Sequence, residues 1–214
     1  MTEVTVLGRG ASLIKLNKFT TDSSKVIVCN EFWKTRDTSS NYFNDPTVNN
    51  FIKDKDITLI MSPSLQSLEQ NFEKKYNVKN KFNCVWKTGS GTHRDRSPLK
   101  GWEHMPNDCL STYKLLEYGE HKSKTFKASF RGTGAWAILL AIDYLKACKV
   151  NIFGLDFYEA DYFVKQFHDY SIDKTLCEEC KHDYTLLFSH WNKVHFNIHT
   201  LAEFQPDLPN VSVY

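Results

Sequence analysis

The sequence has little net charge and no long hydrophobic run. Its 214 residues include 27 lysines and arginines and 25 aspartates and glutamates, for a formal net charge of +2. Because these charges are interspersed rather than gathered on one face, nucleic acid is not favoured as a partner. The longest apolar run follows Gly134 and is broken by Asp143 and Lys146, so it is too short to span a bilayer.

We also expect no secretory signal, because the sequence opens with a strand-forming run rather than with basic and apolar regions. We therefore expect a cytoplasmic protein, and we leave open a peripheral association with a membrane. Hydrophobic residues make up 41% of the chain, which is enough for one sizeable core. This content and the length predict a single domain over residues 1–214.

The six cysteines lack the arrangement of a zinc site. Only Cys177 and Cys180 form a Cys-x-x-Cys pair, with His168 and His182 nearby. No second pair completes the four ligands that a structural zinc needs. We therefore expect reduced thiols and no metal.

No complete nucleotide-binding motif is present either. A P-loop is excluded, because no G-x-x-x-x-G-K-[ST] occurs. The opening VTVLGRGASL has two glycines of a dinucleotide fingerprint, but Leu13 stands where the third glycine belongs. Glu31 could hold a ribose, so NAD binding stays open. What the opening does contain is a strand and a tight turn whose backbone N–H groups can approach a phosphate or a ribose.

Short, mostly apolar runs alternate with helical patterns along the chain. The runs predict parallel strands that are buried on both faces. They cover residues 4–7, 25–29, 57–61, 81–86, 150–154 and 195–199. Helical patterns, or in the first case a helix or turn, cover residues 11–19, 66–76, 136–147 and 184–191. The alternation predicts an α/β fold: one Rossmann-like, doubly wound, mainly parallel sheet with helices on both faces.

Two polar stretches interrupt this alternation. Residues 87–125 and 159–181 show little periodicity, and long excursions of this kind inside compact domains are often functional. We predict that both are lid-like loops that contact an acceptor. The tail through Pro206 and Pro209 is expected to be peripheral.

A second glycine turn, FRGTGAW, precedes the clearest helix. Its Thr133 offers a hydroxyl, and Arg131 offers a cation suited to phosphate or carboxylate. A helix start capped by threonine would not need the arginine. Since doubly wound sheets bind ligands beyond the carboxyl ends of their strands, the informative residues should follow the strands.

The order of these stretches resembles the bacterial sialyltransferases of glycosyltransferase family 42 and, more distantly, the sialylmotifs of animal sialyltransferases. The stretches are VTVLGRGASL, VIVCNEFW, ITLIMSPSL, FRGTGAWAILLAIDYLKACKVNIFGLDFYEADYF and KHDYTLLFSHW. The resemblance covers about residues 4–64 and 128–200, and residues 80–125 do not align. Arg9 and Ser62 stand where the family has asparagine.

The resemblance implies an inverting glycosyltransferase that transfers sialic acid from a CMP-activated donor to a glycan hydroxyl, without metal or cofactor. Its expected partners are the nucleotide-sugar donor and a galactose-terminated glycan acceptor, and homo-oligomer formation stays open. By position, the donor-binding residues would be Gly8, Arg9, Gly10, Ser12, Asn30, Ser62, Thr133, Gly134 and Asp156. The catalytic residues would be Arg131, the tyrosines Tyr158 and Tyr162, and the base His182.

These residue types suit the implied chemistry. An imidazole can accept the proton of an acceptor hydroxyl near neutral pH. Two phenols, Tyr158 and Tyr162, can stabilise a departing phosphate without a metal. We prefer His182 to His168 as the base, because we expect His182 to precede a helix as the family's histidine does. The changes at Arg9 and Ser62 leave open a different nucleotide sugar, or a catalytically silent module that binds a nucleotide or a glycan.

Overall fold

The computed structural model describes residues 2–30, 46–61, 70–83, 86–87, 93–94, 98, 100–118, 133–160 and 174–214. Five residues discussed above, Glu31, Ser62, Arg131, Tyr162 and His168, lie outside these ranges. So do large parts of the two stretches predicted to be lids.

The described residues contain nine strands, seven of which form one sheet. In chain order they are β1 (Glu3–Leu7), β2 (Lys25–Cys29), β3 (Asp56–Met61), β4 (Val78–Asn83), β5 (Trp86–Lys87), β6 (His93–Arg94), β7 (Lys149–Phe153), β8 (His195–His199) and β9 (Val211–Val213). The strand order in the sheet is β4-β3-β2-β1-β7-β8-β9, and every neighbouring pair is parallel. The short strands β5 and β6 pair with each other, antiparallel.

Helices connect these strands. They are a 3-10 helix (Ala11–Lys18), α1 (Pro46–Ile52), α2 (Gln70–Glu73), α3 (Asn107–Tyr118), α4 (Thr133–Leu139), which continues as a π-helical stretch (Leu140–Tyr144), and α5 (Lys174–His190). Within the described ranges, no helix is both long enough and apolar enough to cross a membrane.

The helices cover both faces of the sheet. On one face, Val4 and Val6 of β1 belong to a core cluster that also contains residues of α3, α4 and α5. On the other face, Leu7 belongs to a second cluster with residues of the 3-10 helix, α1 and α2. Burial on both faces explains the nearly continuous apolar runs of the central strands. The predicted α/β, doubly wound fold is therefore confirmed.

The central strand β1 lies between β2 and β7. After β1 the chain builds the sheet outward on one side through β2, β3 and β4, and it returns to the other side of β1 with β7. This change of direction leaves a crevice at the carboxyl ends of β1 and β7, where doubly wound folds bind their ligands. We call this place the crossover.

Helix α5 corrects one predicted boundary. It begins at Lys174 rather than at Tyr184, so residues 174–181 of the second predicted lid are helical. Its buried residues Cys177, Cys180, Tyr184 and Leu187 recur every three or four positions, which is the spacing of one helix face. The pattern was missed because the first two members of this stripe are cysteines, which were weighed as metal ligands.

Three further predictions about elements need correction. The stretch 87–125 was predicted to be irregular, but it contains α3, whose Cys109 is fully buried against the core. The tail was predicted to be peripheral, but it supplies β9, which pairs with β8 at the edge of the sheet. The predicted strand 81–86 lies at 78–83.

Candidate functional site

The turn after β1 packs directly against the turn after β7. The N–H of Gly8 donates to the carbonyl oxygen of Phe153 (2.7 Å), and the N–H of Gly10 donates to that of Gly154 (2.9 Å). A Cβ on Gly8 or on Gly10 would lie within 3.0 Å of the Gly154 carbonyl oxygen. These glycines are therefore required by the close approach of two backbones, and their N–H groups bond within the protein.

Asp156 joins the segments that follow β1, β7 and β8. Its buried carboxylate accepts the N–H of Ser12 through Oδ2 (2.9 Å). Its Oδ1 accepts the hydroxyl of Thr200 (2.9 Å) and the N–H of Leu201 (3.0 Å). The hydroxyl of Ser12 in turn accepts the N–H of Gly154 (2.9 Å). Ser12 and Asp156, both predicted to bind the donor, thus make their described hydrogen bonds to the protein itself and hold the turn in place.

Asn30 and Thr133 meet at the same edge of the sheet. Asn30 follows β2, and its side-chain oxygen accepts the hydroxyl of Thr133, the first residue of α4, at 3.0 Å. The structure thus brings together two predicted donor residues that lie far apart in the sequence. Gly134 comes next, and a Cβ there would lie 2.9 Å from the hydroxyl of Tyr184 and closer still to Leu155. Its lack of a side chain lets the start of α4 pack closely against Leu155, which follows β7, and against α5.

The backbone at this edge is unusual. Asn30, Phe157 and Tyr158 have φ values of 57°, 50° and 63°, and they are three of the four non-glycine residues with positive φ in the described ranges. Left-handed backbone is uncommon for bulky residues and costs about 1–3 kcal/mol each. Such conformations cluster at functional sites. Tyr158 is also 37% exposed.

Tyr184 also belongs to this region, although it was not among the residues predicted from the sequence. Its ring is buried and packs edge-on against Phe157 with centroids 5.5 Å apart. Burial raises the pKa of Tyr184 well above its ordinary value, and the neighbouring Cys180, Tyr158 and Cys29 raise it further. Tyr184 is therefore a neutral phenol beside Gly134. Its place in the buried stripe of α5 is the one signal that could have found it.

His182 does not join these residues. It lies inside α5 rather than before a helix, so the reason for preferring it to His168 is wrong. It is exposed, whereas Cys180 and Tyr184 on either side of it are buried. Two residues correspond to more than half a helical turn, which places His182 on the side of α5 that faces away from the core. Its role as the base stays a prediction.

The residue before His182 ties α5 to the crossover. Lys181 Nζ donates to Glu159 (2.5 Å), just after Tyr158, and to Glu178 (3.3 Å). Burial alone would lower the pKa of Lys181, but the two carboxylates outweigh burial and raise the pKa. The other oxygen of Glu159 accepts the N–H of Glu203 (3.1 Å). This group holds α5 and the segment after β8 against the turn that carries Tyr158.

The remaining predicted residues divide into two groups. Arg9, which is partly exposed, lies in the β1 turn between the buried Gly8 and Gly10. Ser62, Arg131 and Tyr162 lie outside the described residues. The structure therefore brings the following predicted residues to one edge of the sheet: Gly8, Arg9, Gly10, Ser12, Asn30, Thr133, Gly134, Asp156 and Tyr158.

The Cys-x-x-Cys pair contributes to packing. Cys177 and Cys180 are both buried on α5. Burial, with a smaller contribution from Asp183, raises the pKa of Cys180 to about 12. A metal-binding cysteine needs the opposite shift, because the thiolate is the ligand. Across the part of the chain that is described, no group of three or more His, Cys, Asp or Glu side chains could hold a metal ion.

Comparison of the chain with protein-family models, with curated proteins and with solved structures finds no match. The resemblance to glycosyltransferase family 42 therefore rests on the quoted stretches alone and stays a prediction. What the crossover can do has to be argued from its own residues.

Proposed function

We propose that this protein is a CMP-sugar-dependent glycosyltransferase that transfers sialic acid, or a related nonulosonic acid, to a glycan hydroxyl with inversion. The observation that carries the proposal is the 3.0 Å hydrogen bond between Thr133 and Asn30. It joins two residues that the resemblance assigns to the donor, at the edge where this class of fold binds ligands.

The polar groups at the crossover suit an anionic nucleotide. Because the oxygen of Asn30 accepts the Thr133 hydroxyl, the amide has its NH₂ group left to donate to a ligand oxygen. Tyr158 adds an exposed phenol on the neighbouring segment. Neutral donors that are fixed before the reaction can stabilise the charge that develops on a departing phosphate.

The proposed reaction is a direct displacement. The acceptor hydroxyl oxygen attacks the anomeric carbon of the sugar while the bond from that carbon to the phosphate oxygen breaks. CMP leaves with the bonding electron pair, and Tyr158 donates a hydrogen bond to its phosphate. The hydroxyl proton passes to a base. Since His182 lies on the exposed side of α5, the test of the base compares His182→Ala with His168→Ala.

A second candidate is a catalytically silent module that binds a nucleotide. One observation favours it: the N–H groups of Gly8, Gly10 and Ser12 all bond to the protein. A turn built in this way offers fewer donors to a phosphate than a turn that uses its N–H groups on the ligand. The two candidates share nucleotide binding and differ in turnover.

A thermal-shift panel of CMP, UDP, GDP and NAD, followed by an assay of CMP release from CMP-sialic acid, tests both candidates. We expect CMP alone to raise the midpoint, because a ligand that binds the folded state stabilises it. Release of CMP should be slow with water and faster with lactose as acceptor. Thr133→Val should weaken CMP binding about tenfold, because Asn30 loses the hydrogen bond that orients its amide toward the ligand. Thr185→Val, which loses a hydroxyl on α5, is the matched control.

The outcomes separate the candidates. CMP binding without turnover of any CMP-sugar would overturn the glycosyltransferase and support the silent nucleotide-binding module. A shift with NAD instead would identify a dinucleotide enzyme, and a shift with none of the four nucleotides would contradict both proposals.

A further inference from the structure

A groove lies at the same edge of the sheet, beyond β8 and β9. Its volume is about 510 Å³, and its lining includes Thr200, Glu203, Phe204, Gln205, Val213 and Tyr214. Thr200 directly follows β8 and Tyr214 directly follows β9, so the groove is at the carboxyl ends of these strands. Among the described residues predicted to bind the donor, none lines it. It is therefore separate from the crossover.

The lining combines apolar, aromatic and polar groups. Phe204 is buried and Val213 half-buried, which gives an apolar surface. Glu203 and Gln205 are exposed and add a carboxylate and an amide. Tyr214 is 59% exposed, and its ring stacks on that of His199 with centroids 4.9 Å apart. A groove with this lining can pack against one face of a ligand and bond to its polar edge.

Charge limits the ligand class. The charged side chain of the lining is that of Glu203, and its negative charge disfavours a phosphate or a sugar carboxylate beside it. A neutral hexose fits better, because its C–H face can pack on the ring while its hydroxyls bond to Glu203 and Gln205.

The groove is linked to the crossover through Asp156. The hydroxyl of Thr200 and the N–H of Leu201 bond to one oxygen of this carboxylate, and the N–H of Ser12 bonds to the other. The crossover and the groove are about two strand spacings apart, or about 10 Å, a distance that a disaccharide can bridge. We infer that the groove binds a neutral hexose of the glycan acceptor, an inference that rests on the proposed function.

Titration of the full chain with lactose, monitored by NMR, measures the apparent Kd and tests this inference. We expect Glu203→Ala and Tyr214→Ala to raise the apparent Kd for lactose about tenfold or more. Tyr214→Ala could lower stability by removing the stack on His199. Gln205→Ala is therefore included as a third groove variant that keeps this stack. Matched controls are Glu103→Ala and Tyr144→Ala, exposed residues of the same types outside the groove, and these should keep the wild-type Kd.

The CMP-release assay, run on the same variants, separates failure of this inference from failure of the proposed function. The groove variants should raise KM for lactose and leave the slow hydrolysis of CMP-sialic acid unchanged. Turnover with an unchanged KM for lactose would overturn the inference and leave the proposed function standing. If the groove variants weaken lactose binding but no CMP-sugar is turned over, the proposed function is overturned and the groove stands as a sugar-binding site. No binding of lactose, or equal binding by Gln205→Ala and the controls, would overturn the inference.

Discussion

At the scale of single residues, the crossover is built from positions whose polar groups bond inward. Gly8 and Gly10 allow two turns to touch, and Asp156 receives three hydrogen bonds from segments on either side of it. Asn30 is partly exposed and Tyr158 is exposed, and both lie on left-handed backbone. The site therefore has a fixed support and a smaller set of groups that can contact a ligand.

The two glycine turns should differ in their tolerance of a methyl group. Gly8→Ala places a Cβ against the backbone oxygen of Gly154, which cannot move without shifting β7. Gly134→Ala meets the ends of the Leu155 and Tyr184 side chains, and the leucine can change its rotamer. We expect Gly8→Ala to lower the free energy of unfolding by about 1–3 kcal/mol, and Gly134→Ala to lower it by less. Urea unfolding of both variants measures the difference, and equal losses would contradict this account.

The residues that sequence reasoning found are those whose position depends on topology alone. The carboxyl ends of parallel strands meet at one edge, so the meeting of Asn30, Thr133 and Tyr158 could be predicted from the order of strands and helices. The inward bonds of Asp156 and the position of Tyr184 depend on packing between distant segments. Spacing along the sequence does not contain the partners of Asp156. Tyr184 and His182 were misjudged because the buried stripe of α5 was missed and the helix was predicted to begin at Tyr184.

At the scale of elements, the strands were easier to predict than the helices and loops. Buried parallel strands are marked by apolar runs, whereas α5 begins with a polar segment whose buried face consists of Cys177 and Cys180.

Strand β8 ends in an aromatic stack. The ring of its last residue, His199, lies between those of Phe153 (centroids 4.1 Å apart) and Tyr214 (4.9 Å). The Nε2 atom of His199 is buried and has no hydrogen-bond partner among the residues that the structure describes.

This aromatic stack should make stability depend on pH. Burial, and then the charge of Lys15, lowers the pKa of His199 from its ordinary 6.5 to about 4. As the pH falls between these values, the unfolded chain takes up a proton that the folded chain does not, so the free energy of unfolding should fall. We expect His199→Phe to lose part of this dependence in urea unfolding at pH 7 and pH 5.

A residue on the same strand provides the control. His195 is exposed, so His195→Gln should keep the wild-type difference between the two pH values. The prediction fails if His199→Phe and the wild type lose the same amount of stability between pH 7 and pH 5.

At the scale of the whole molecule, the C-terminal segment completes the sheet. Strand β9 covers the edge of β8, where Phe196 and Ile198 are buried. The side-chain amide of Asn210 lies 3.1 Å from each of the carbonyl oxygens of Phe188, Trp191 and Val194, at the end of α5. The segment was expected to be peripheral because its prolines and short apolar run do not resemble a core strand.

Removal of residues 206–214 should therefore lower the thermal midpoint and expose the edge of β8 to pairing with other chains. We expect the shortened chain to associate with rising concentration in sedimentation experiments. Asn210→Ala removes the hydrogen bonds of its amide but keeps β9, so it should be less stable by about 1–3 kcal/mol without association. A shortened chain with the wild-type midpoint would contradict the structural role of β9.

The contacts of Asp156 also have a consequence for biosynthesis. Ser12 is translated well before Thr200 and Leu201, and its link to both of them through Asp156 requires that later segment. A nascent chain that ends before Thr200 has the β1 turn and lacks the donors that satisfy the second oxygen of this carboxylate. The ligand-binding edge should therefore reach its final structure only after β8 has been translated and has joined the sheet.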